Sequence, residues 1–139
     1  MQQNEQELIY KLSIFEQQIQ QMQEQIRAVE RAVFEMNSLN IDLDELKGKE
    51  GKEILAPVGK GIFAKAKLIS EELIVGVGGG NMIKKSINET KEMIEKQINK
   101  LEEVKVELNN NLEKVGKEVE KLIEGAREKT NIRVEEINN

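Results

Sequence analysis

Two heptad ladders, one in each half of the chain, restrict what this sequence can fold into more than any other feature. In both, apolar residues recur at alternating spacings of four and three residues. A mean period of ~3.5 places each set on one narrow stripe of an α-helix, which only a second helix coiled around it can bury. The first ladder comprises Leu8, Leu12, Phe15, Ile19, Met22, Ile26, Val29, Val33 and Met36. The second comprises Ile94, Ile98, Leu101, Leu108, Leu112, Val115, Val119 and Leu122, with one polar break at Lys105.

The composition is typical of long exposed helices rather than of a compact core. Of the 139 residues, 34% are charged and only 3% are aromatic, whereas a globular core of this size usually contains more large rings. The charged residues fall between the ladder positions, as they do on helices exposed over most of their circumference. The formal net charge of −5 argues against nucleic acid as the main ligand, because phosphate binding needs a basic surface.

The sequence contains neither cysteine nor histidine. Disulfides, thiolate metal sites, histidine metal sites and His-dependent catalytic triads are therefore excluded. We expect no enzymatic activity, no metal and no cofactor. Residues 1–7 show no signal-peptide pattern, and no apolar run approaches the ~18 residues of a membrane span. These features predict a soluble cytoplasmic protein that does not bind membranes.

Helix-forming residues fill the first ladder without Gly or Pro, which predicts one helix from about Glu5 to about Leu39. The middle of the chain has short apolar runs with strand-like alternation, separated by glycine-rich turns, and predicts two consecutive β-hairpins. Pro57 lies in the first run and cannot donate to a ladder of hydrogen bonds, so its strand should be an edge there.

A second helix is predicted from about Ile87 to about Lys129, with Ser86 or Asn88 as its N-cap. Beyond it, scattered apolar residues among charges predict a frayed tail. This order of elements predicts an α+β fold, in which a long antiparallel two-helix coiled coil is joined by two β-hairpins. The expected segments are an N-terminal coiled-coil helix (1–47), the hairpins (48–86) and a C-terminal coiled-coil helix with its tail (87–139).

Matching the ends of the two ladders predicts their register. It places Met36 near Ile94 and Leu8 near Leu122. Lys105 would then lie near Gln25 and Glu24, where it either fixes the register through a charged partner or extends its amine to solvent.

The hairpins should associate with other chains. Two hairpins cannot bury their apolar faces alone, and their open edges invite further strands. The segment is therefore expected to hold an oligomer together. The residues expected at that interface are Ile54, Val58, Ile62, Phe63, Leu68, Leu73, Val75 and Val77.

The β segment resembles that of the prefoldin family, in its archaeal alpha type. The resemblance rests on ILAPVGKG at residues 54–61, on LIVGVGGG at residues 73–80, and on the helix opening SINE at residues 86–89. Four strands rather than two favour the alpha type over the beta type. Gly76, where many relatives have a small polar residue, and Lys105 within the ladder depart from the family pattern.

The resemblance implies a hexamer of two alpha and four beta subunits. The hairpins of such an assembly form an oligomeric platform of two β-barrels, from which six coiled coils project. Their tips hold unfolded proteins and pass them to a group II chaperonin without ATP. The function implied for this chain is that of an ATP-independent holdase, with prefoldin beta subunits, unfolded clients and the chaperonin as its partners.

Client binding at the tips would use apolar side chains where the coiled coil opens. Leu8, Leu12, Phe15 and Leu122 are ladder residues, which also fits an ordinary role in helix pairing. Ile9 and Ile123 are more informative, because they are apolar beside the ladder where a charge would be tolerated. The full set of candidates is Leu8, Ile9, Leu12, Phe15, Leu122, Ile123, Ile132 and Val134.

Two other interpretations remain open at this point. The chain would be a structural filament or scaffold if its hairpins assembled head to tail without closing a ring. The glycine-rich residues 76–81 follow a strand, as a dinucleotide-binding loop does, but Asn81 replaces the third glycine and the βαβ unit is missing. A tight hairpin turn is therefore the favoured interpretation of that loop.

Overall fold

The computed structural model describes the backbone of residues 2–138 and the side chains of residues 3–129. Two long helices flank four short strands, which confirms the α+β class and the two hairpins. The elements are α1 (Gln2–Leu46), β1 (Glu53–Gly59), β2 (Ile62–Lys67), β3 (Leu73–Gly78), β4 (Asn81–Lys85) and α2 (Ile87–Asn138).

Helix α1 is longer than the ladder predicted. Every residue of the first ladder is buried or half-buried, as the heptad pattern requires. The helix nevertheless continues past Leu39 to Leu46, because the four-three spacing continues through Asn40 to Leu43. Leu43 is only 7% exposed and Leu46 packs against it, so this last part of α1 has a core of its own.

Helix α2 begins at Ile87, as predicted, and continues beyond Lys129 to Asn138. Every residue of the second ladder is buried or half-buried, and so is Lys105. Residues 130–138 contain neither glycine nor proline, so no strong helix breaker ends the helix at the expected place. Fraying of this tail remains a prediction.

Ser86 is the N-cap of α2. The backbone N–H of Glu89 donates to Ser86 Oγ at 3.1 Å, and the backbone N–H of Ser86 donates to Glu89 Oε1 at 3.2 Å. This reciprocal pair is a capping box, which satisfies two donors at the helix start. Hydrogen bonds to the Glu89 carboxylate, first from the Ser86 backbone N–H and then from the Ser86 hydroxyl, favour its ionised form and lower the pKa of Glu89.

The chain divides into two compact units. The helical unit comprises Met1–Glu30 and Glu102–Asn139, and the hairpin unit comprises Arg31–Leu101. In the helical unit α1 and α2 are antiparallel: Lys105 faces Glu30, while Leu122 shares a cleft with Phe15. The partner of Lys105 is therefore Glu30, and the expectation of Glu24 was wrong.

The core of the hairpin unit lies where the helices meet the strands. Leu43, Ile87 and Ile94 are buried together. Residues from both helices and from β3 surround this cluster, and they are Met36, Leu46, Leu73 and Ile98. Met36 and Leu43 of α1 share this cluster with Ile87, Ile94 and Ile98 of α2, so the two helices pack together in this unit as well. An ion pair joins Asp44 to Lys91 at 2.6 Å beside the cluster.

The strands form two separate antiparallel two-stranded sheets, β1–β2 and β3–β4. Pro57 lies in β1 opposite Phe63, on a strand with β2 as its one partner within the described sheets, which agrees with its predicted edge position. The glycine-rich segment after β3 turns into β4 instead of opening a helix. Gly79 and Gly80 adopt φ of 61° and 76° there, which supports the hairpin-turn interpretation.

Candidate functional site

An apolar cleft opens between α1 and α2 in the helical unit. Two ladder residues, Phe15 and Leu122, line this cleft, and Ile14 adds an apolar side chain beside the ladder. The cleft measures about 500 Å³ and is lined by Lys11, Ile14, Phe15, Glu118, Lys121 and Leu122. The lysine stems extend its apolar wall while their ammonium groups remain able to reach water.

A second cleft of about 300 Å³ shares Lys11, Lys121 and Leu122 with the first and also includes Leu8, Gly125 and Ala126. We call the two clefts together the groove. A Cβ added to Gly125 would meet no atom of the described residues within 4 Å. Small residues on α2 opposite Leu8 leave the ladder incompletely covered, and this exposes apolar surface between the helices.

The tip residues predicted from the sequence fall into three groups. Leu8, Leu12, Phe15 and Leu122 are half-buried in the helix pairing, and Leu8, Phe15 and Leu122 also line the groove. Ile9 is 66% exposed and Ile123 is 38% exposed. Ile132 and Val134 lie outside the residues whose side chains are described. Client binding by any of these residues stays a prediction.

Two apolar residues near the groove were not predicted from the sequence. Ile14 lines the first cleft, and Tyr10 is exposed beside Ile9 on α1. The signal that identified Ile9 and Ile123, an apolar residue directly beside a ladder position, would also have identified Ile14, which precedes Phe15. Tyr10 is two positions away from both Leu8 and Leu12, so the ladder rule does not reach it.

The predicted oligomerisation residues divide equally between exposed and half-buried positions. Leu73 packs against the core cluster of its own chain, which gives it a role inside the hairpin unit. The exposed residues are Val58, Ile62, Phe63 and Val77, and the half-buried ones are Ile54, Leu68, Leu73 and Val75. Their participation in an interface stays a prediction.

Each hairpin also presents exposed apolar residues on one face. On the first hairpin, Leu55 and Phe63 point to the same side, since Leu55 pairs with Lys65 and Phe63 with Pro57. On the second hairpin, Ile74 and Met82 share a face in the same way. Leu55, Ile74 and Met82 are all exposed and were missed from the sequence, because the register of each hairpin decides which residues share a face.

Within the described part of the chain, no three acidic, cysteine or histidine side chains are placed to hold a metal ion. The helical segments of that part are too polar or too short in their apolar stretches to cross a membrane. Lys84, which follows the glycine-rich turn, faces Glu72 at 3.8 Å.

These features define a class of protein in which two long coiled-coil helices carry a pair of β-hairpins between them. A family model described as "Prefoldin subunit" matches residues 15–131 of the chain. The chain therefore belongs to the prefoldin family.

Several archaeal proteins are similar to this chain. Prefoldin subunit alpha of Methanobrevibacter smithii is 34% identical over 87 residues, which are 62% of this chain and 60% of that protein. Prefoldin subunit alpha 1 of Methanocaldococcus jannaschii is 37% identical over 82 residues, or 58% of this chain and 56% of that protein. The matched region spans less than two thirds of the length of these relatives.

The fold is similar to that of a solved prefoldin. A chain in the structure of filamentous PFD from Methanocaldococcus jannaschii superposes with a TM-score of 0.73. The similarity covers 82% of this chain and 96% of that chain, at 23% sequence identity. At this identity the likeness establishes the shared fold.

Proposed function

We propose that this chain is the alpha subunit of a cytoplasmic prefoldin chaperone that holds unfolded proteins without ATP. The family membership and the similarity to archaeal alpha subunits support this role. The observation that carries it is the groove, where apolar side chains of both helices remain open to solvent. An unfolded chain exposes apolar segments that match such a surface.

The hairpins would supply the assembly. Two-stranded hairpins are marginal alone. Leu55 and Phe63 remain exposed on the first hairpin of this chain, and Ile74 remains exposed on the second. Strands from neighbouring subunits would cover these faces and complete the sheets. We propose a hexamer with two copies of this chain and four prefoldin beta subunits, in which the hairpins close into β-barrels.

Several grooves in one assembly would act together on a single client. Each groove offers only a small apolar area and therefore binds weakly. Simultaneous binding at several grooves raises the overall affinity through effective concentration, without any deep pocket. Weak individual contacts also allow stepwise release, which suits transfer to a group II chaperonin. The proposed role includes no catalysis, no nucleic-acid binding and no membrane binding.

Substitution of Ile14 in the groove, and of Ile9 and Ile123 next to the groove residues Leu8 and Leu122, tests the client-binding role. We expect Ile9→Ser, Ile14→Ser and Ile123→Ser together to lower the protection of a chemically denatured enzyme against aggregation at least severalfold. All three residues are exposed, so their loss should leave the helix pairing in place. Light scattering of the denatured enzyme, diluted with and without the assembled chaperone, measures the effect.

A matched control lies on α2 away from the groove. Val104 and Val106 are also exposed apolar residues, so Val104→Ser with Val106→Ser makes a comparable loss of apolar surface. Protection should remain near that of the unchanged protein in this control. Full protection by the groove variant, or equal loss in both variants, would contradict client capture by the groove.

Mixing with a prefoldin beta subunit tests the proposed assembly. Multi-angle light scattering should report one species with the mass of a hexamer. Phe63→Ser with Ile74→Ser should abolish that species, because it removes one large apolar side chain from the exposed face of each hairpin. An open-ended size distribution would instead support the alternative function as a filament or scaffold protein, whose strands add head to tail.

A further inference from the structure

Two lysines of α2 occupy ladder positions, and each faces a carboxylate of α1. In the helical unit, Lys105 Nζ lies 3.4 Å from Glu30 Oε1. In the hairpin unit, Lys91 Nζ lies 2.6 Å from Asp44 Oδ1. The lysine side chains are 33% and 21% exposed respectively. Partial burial makes each ammonium group depend on its partner more than a surface lysine would.

The two ion pairs occupy equivalent positions in the heptads. When the seven positions of each heptad are lettered a to g, with Leu8 and Ile94 at position d, both lysines lie at position a and both carboxylates lie at position e. Lys91 and Lys105 are separated by two heptads along α2, and Glu30 and Asp44 are separated by two heptads along α1. The spacing between the two lysines on α2 therefore equals the spacing between the two carboxylates on α1.

A shift of one heptad would break both pairs. The e position of α1 between the two carboxylates holds the amide Asn37. The e position one heptad before Glu30 holds the amide Gln23. Shifting one way moves Lys105 opposite Gln23 and Lys91 opposite Asn37. Shifting the other way moves Lys105 opposite Asn37 and Lys91 opposite Gly51, which lies beyond the end of α1.

The apolar ladder resists such a shift much less. Moving one helix by a heptad replaces Leu, Ile, Val or Met contacts by others of the same kind, so the apolar burial changes little. The hairpin unit has its buried cluster around Leu43 to oppose a shift. In the helical unit, Ile26 is the single buried residue among those described. The Lys105–Glu30 pair of the helical unit therefore contributes a larger share of the resistance to a shift.

We propose that the Lys91–Asp44 and Lys105–Glu30 pairs set the register in which α1 and α2 associate. The register in turn decides which residues meet across the groove. In the observed register, Leu8 faces the small residues Gly125 and Ala126. After the shift that moves Lys105 to Gln23, Leu8 would face Val119 instead, and the open end of the groove would be filled.

Cysteine pairs can report the register directly, because the chain contains no other cysteine. Leu8→Cys with Ala126→Cys reports the observed register, since both residues line one cleft. Leu8→Cys with Val119→Cys reports the shifted register. In a glutathione redox buffer, the disulfide fraction of each full-length variant measures how often the two positions meet. The ratio of shifted to observed disulfide is the readout.

Removing the carboxylates should change this ratio. With Glu30→Gln and Asp44→Asn together, we expect it to rise about threefold to tenfold. Lys105→Glu, which places a second carboxylate beside Glu30, should raise the ratio as well. Adding Glu30→Lys to that variant restores an ion pair of opposite sense and should return the ratio toward its original value.

Glu113→Gln provides the matched control. Glu113 pairs with Lys117 at 3.6 Å within α2, so its loss removes one ion pair without affecting the contact between helices. The ratio should not change in this variant. An unchanged ratio in the Glu30→Gln, Asp44→Asn protein would overturn the proposal. So would an equal rise with Glu113→Gln, or a failure of Glu30→Lys to rescue Lys105→Glu.

Discussion

Lys105 Nζ lies 3.4 Å from Glu30 Oε1, and this ion pair joins the two helices at a ladder position that otherwise holds apolar residues. Half of the Glu30 side chain is exposed, so the pair lies at the boundary between the helix contact and water. Such pairs add little net stability but discriminate strongly between alternative arrangements. The helical unit thus combines a weakly selective apolar ladder with a selective polar contact.

Leu43 should be the most sensitive position in the hairpin unit. It is 7% exposed and packs with Ile87 and Ile94. We expect Leu43→Ala to lower the free energy of unfolding by about 2–4 kcal/mol, because it removes buried methyl groups and leaves a cavity. Urea denaturation followed by circular dichroism measures the change. Leu39→Ala, at an exposed position of the same helix, should cost less than about 1 kcal/mol. Equal losses in the two variants would contradict the core assignment.

Asn40 interrupts the first ladder at a cost to stability. Its Oδ1 is buried and has no hydrogen-bond partner among the residues that the structure describes. We expect Asn40→Leu to raise the free energy of unfolding by about 1–2 kcal/mol, because it removes an unsatisfied polar atom and extends the apolar stripe. Asn37→Leu is the control, since Asn37 is exposed on the same helix and the change in helix propensity is the same. A gain of similar size at Asn37 would show that propensity, and not burial, is responsible.

Acid should weaken the hairpin unit through Asp44. Hydrogen bonds from Lys91 and Lys47 lower the pKa of Asp44 below its ordinary value of 3.8. A carboxyl whose pKa is lower in the folded state stabilises the fold above its unfolded pKa, and this contribution disappears as the pH falls through the folded value. Thermal melting at pH 7 and near pH 3 should therefore show a smaller loss in Asp44→Asn than in the unchanged chain. Glu45→Gln is the control, and it should keep the full acid sensitivity.

Two glycines weaken α2 without a packing reason. Within the described part of the chain, a Cβ added at Gly116 or Gly125 would meet no atom within 4 Å. Gly116→Ala and Gly125→Ala should each stabilise the helix by about 1 kcal/mol, since alanine loses less backbone entropy on folding. The increase in thermal midpoint measures this effect. Gly80→Ala should act in the opposite direction, because Gly80 has a φ of 76°. Destabilisation by Gly116→Ala would indicate a contact that the structure does not contain.

The extent of the helix pairing shows how far heptad spacing predicts structure. All ladder residues are buried or half-buried, since a periodic apolar stripe on one helix is removed from water by packing against a second helix. The end of α1 was less predictable, because Asn40 weakens the pattern before Leu43 completes it. Leu43 lies one heptad beyond Met36, and Ile87 lies one heptad before Ile94, so extending both ladders leaves the match of their ends unchanged. The contact of Lys105 with Glu30 instead of Glu24 is therefore decided by tertiary packing and not by the ends of the ladders.

The candidate site depends on geometry that a periodic pattern does not contain. Ile9 and Ile123 were identified because both are apolar beside a ladder position. The groove itself depends on which small residues of α2 lie opposite Leu8, and that requires the register. Which residues share an exposed face of a hairpin likewise depends on strand pairing, which puts Leu55 and Phe63 on the same face of the first hairpin.

The sequence alone determined that this chain forms two heptad helices around two hairpins, because local spacing and turn residues act over a few neighbouring positions. The tertiary structure decided the register, the ends of the helices and the open groove. These features arise from contacts between residues far apart in the chain, and many of those contacts are nearly equivalent in apolar energy. A few polar atoms, such as the Lys105 ammonium and the Glu30 carboxylate, distinguish one arrangement from the others.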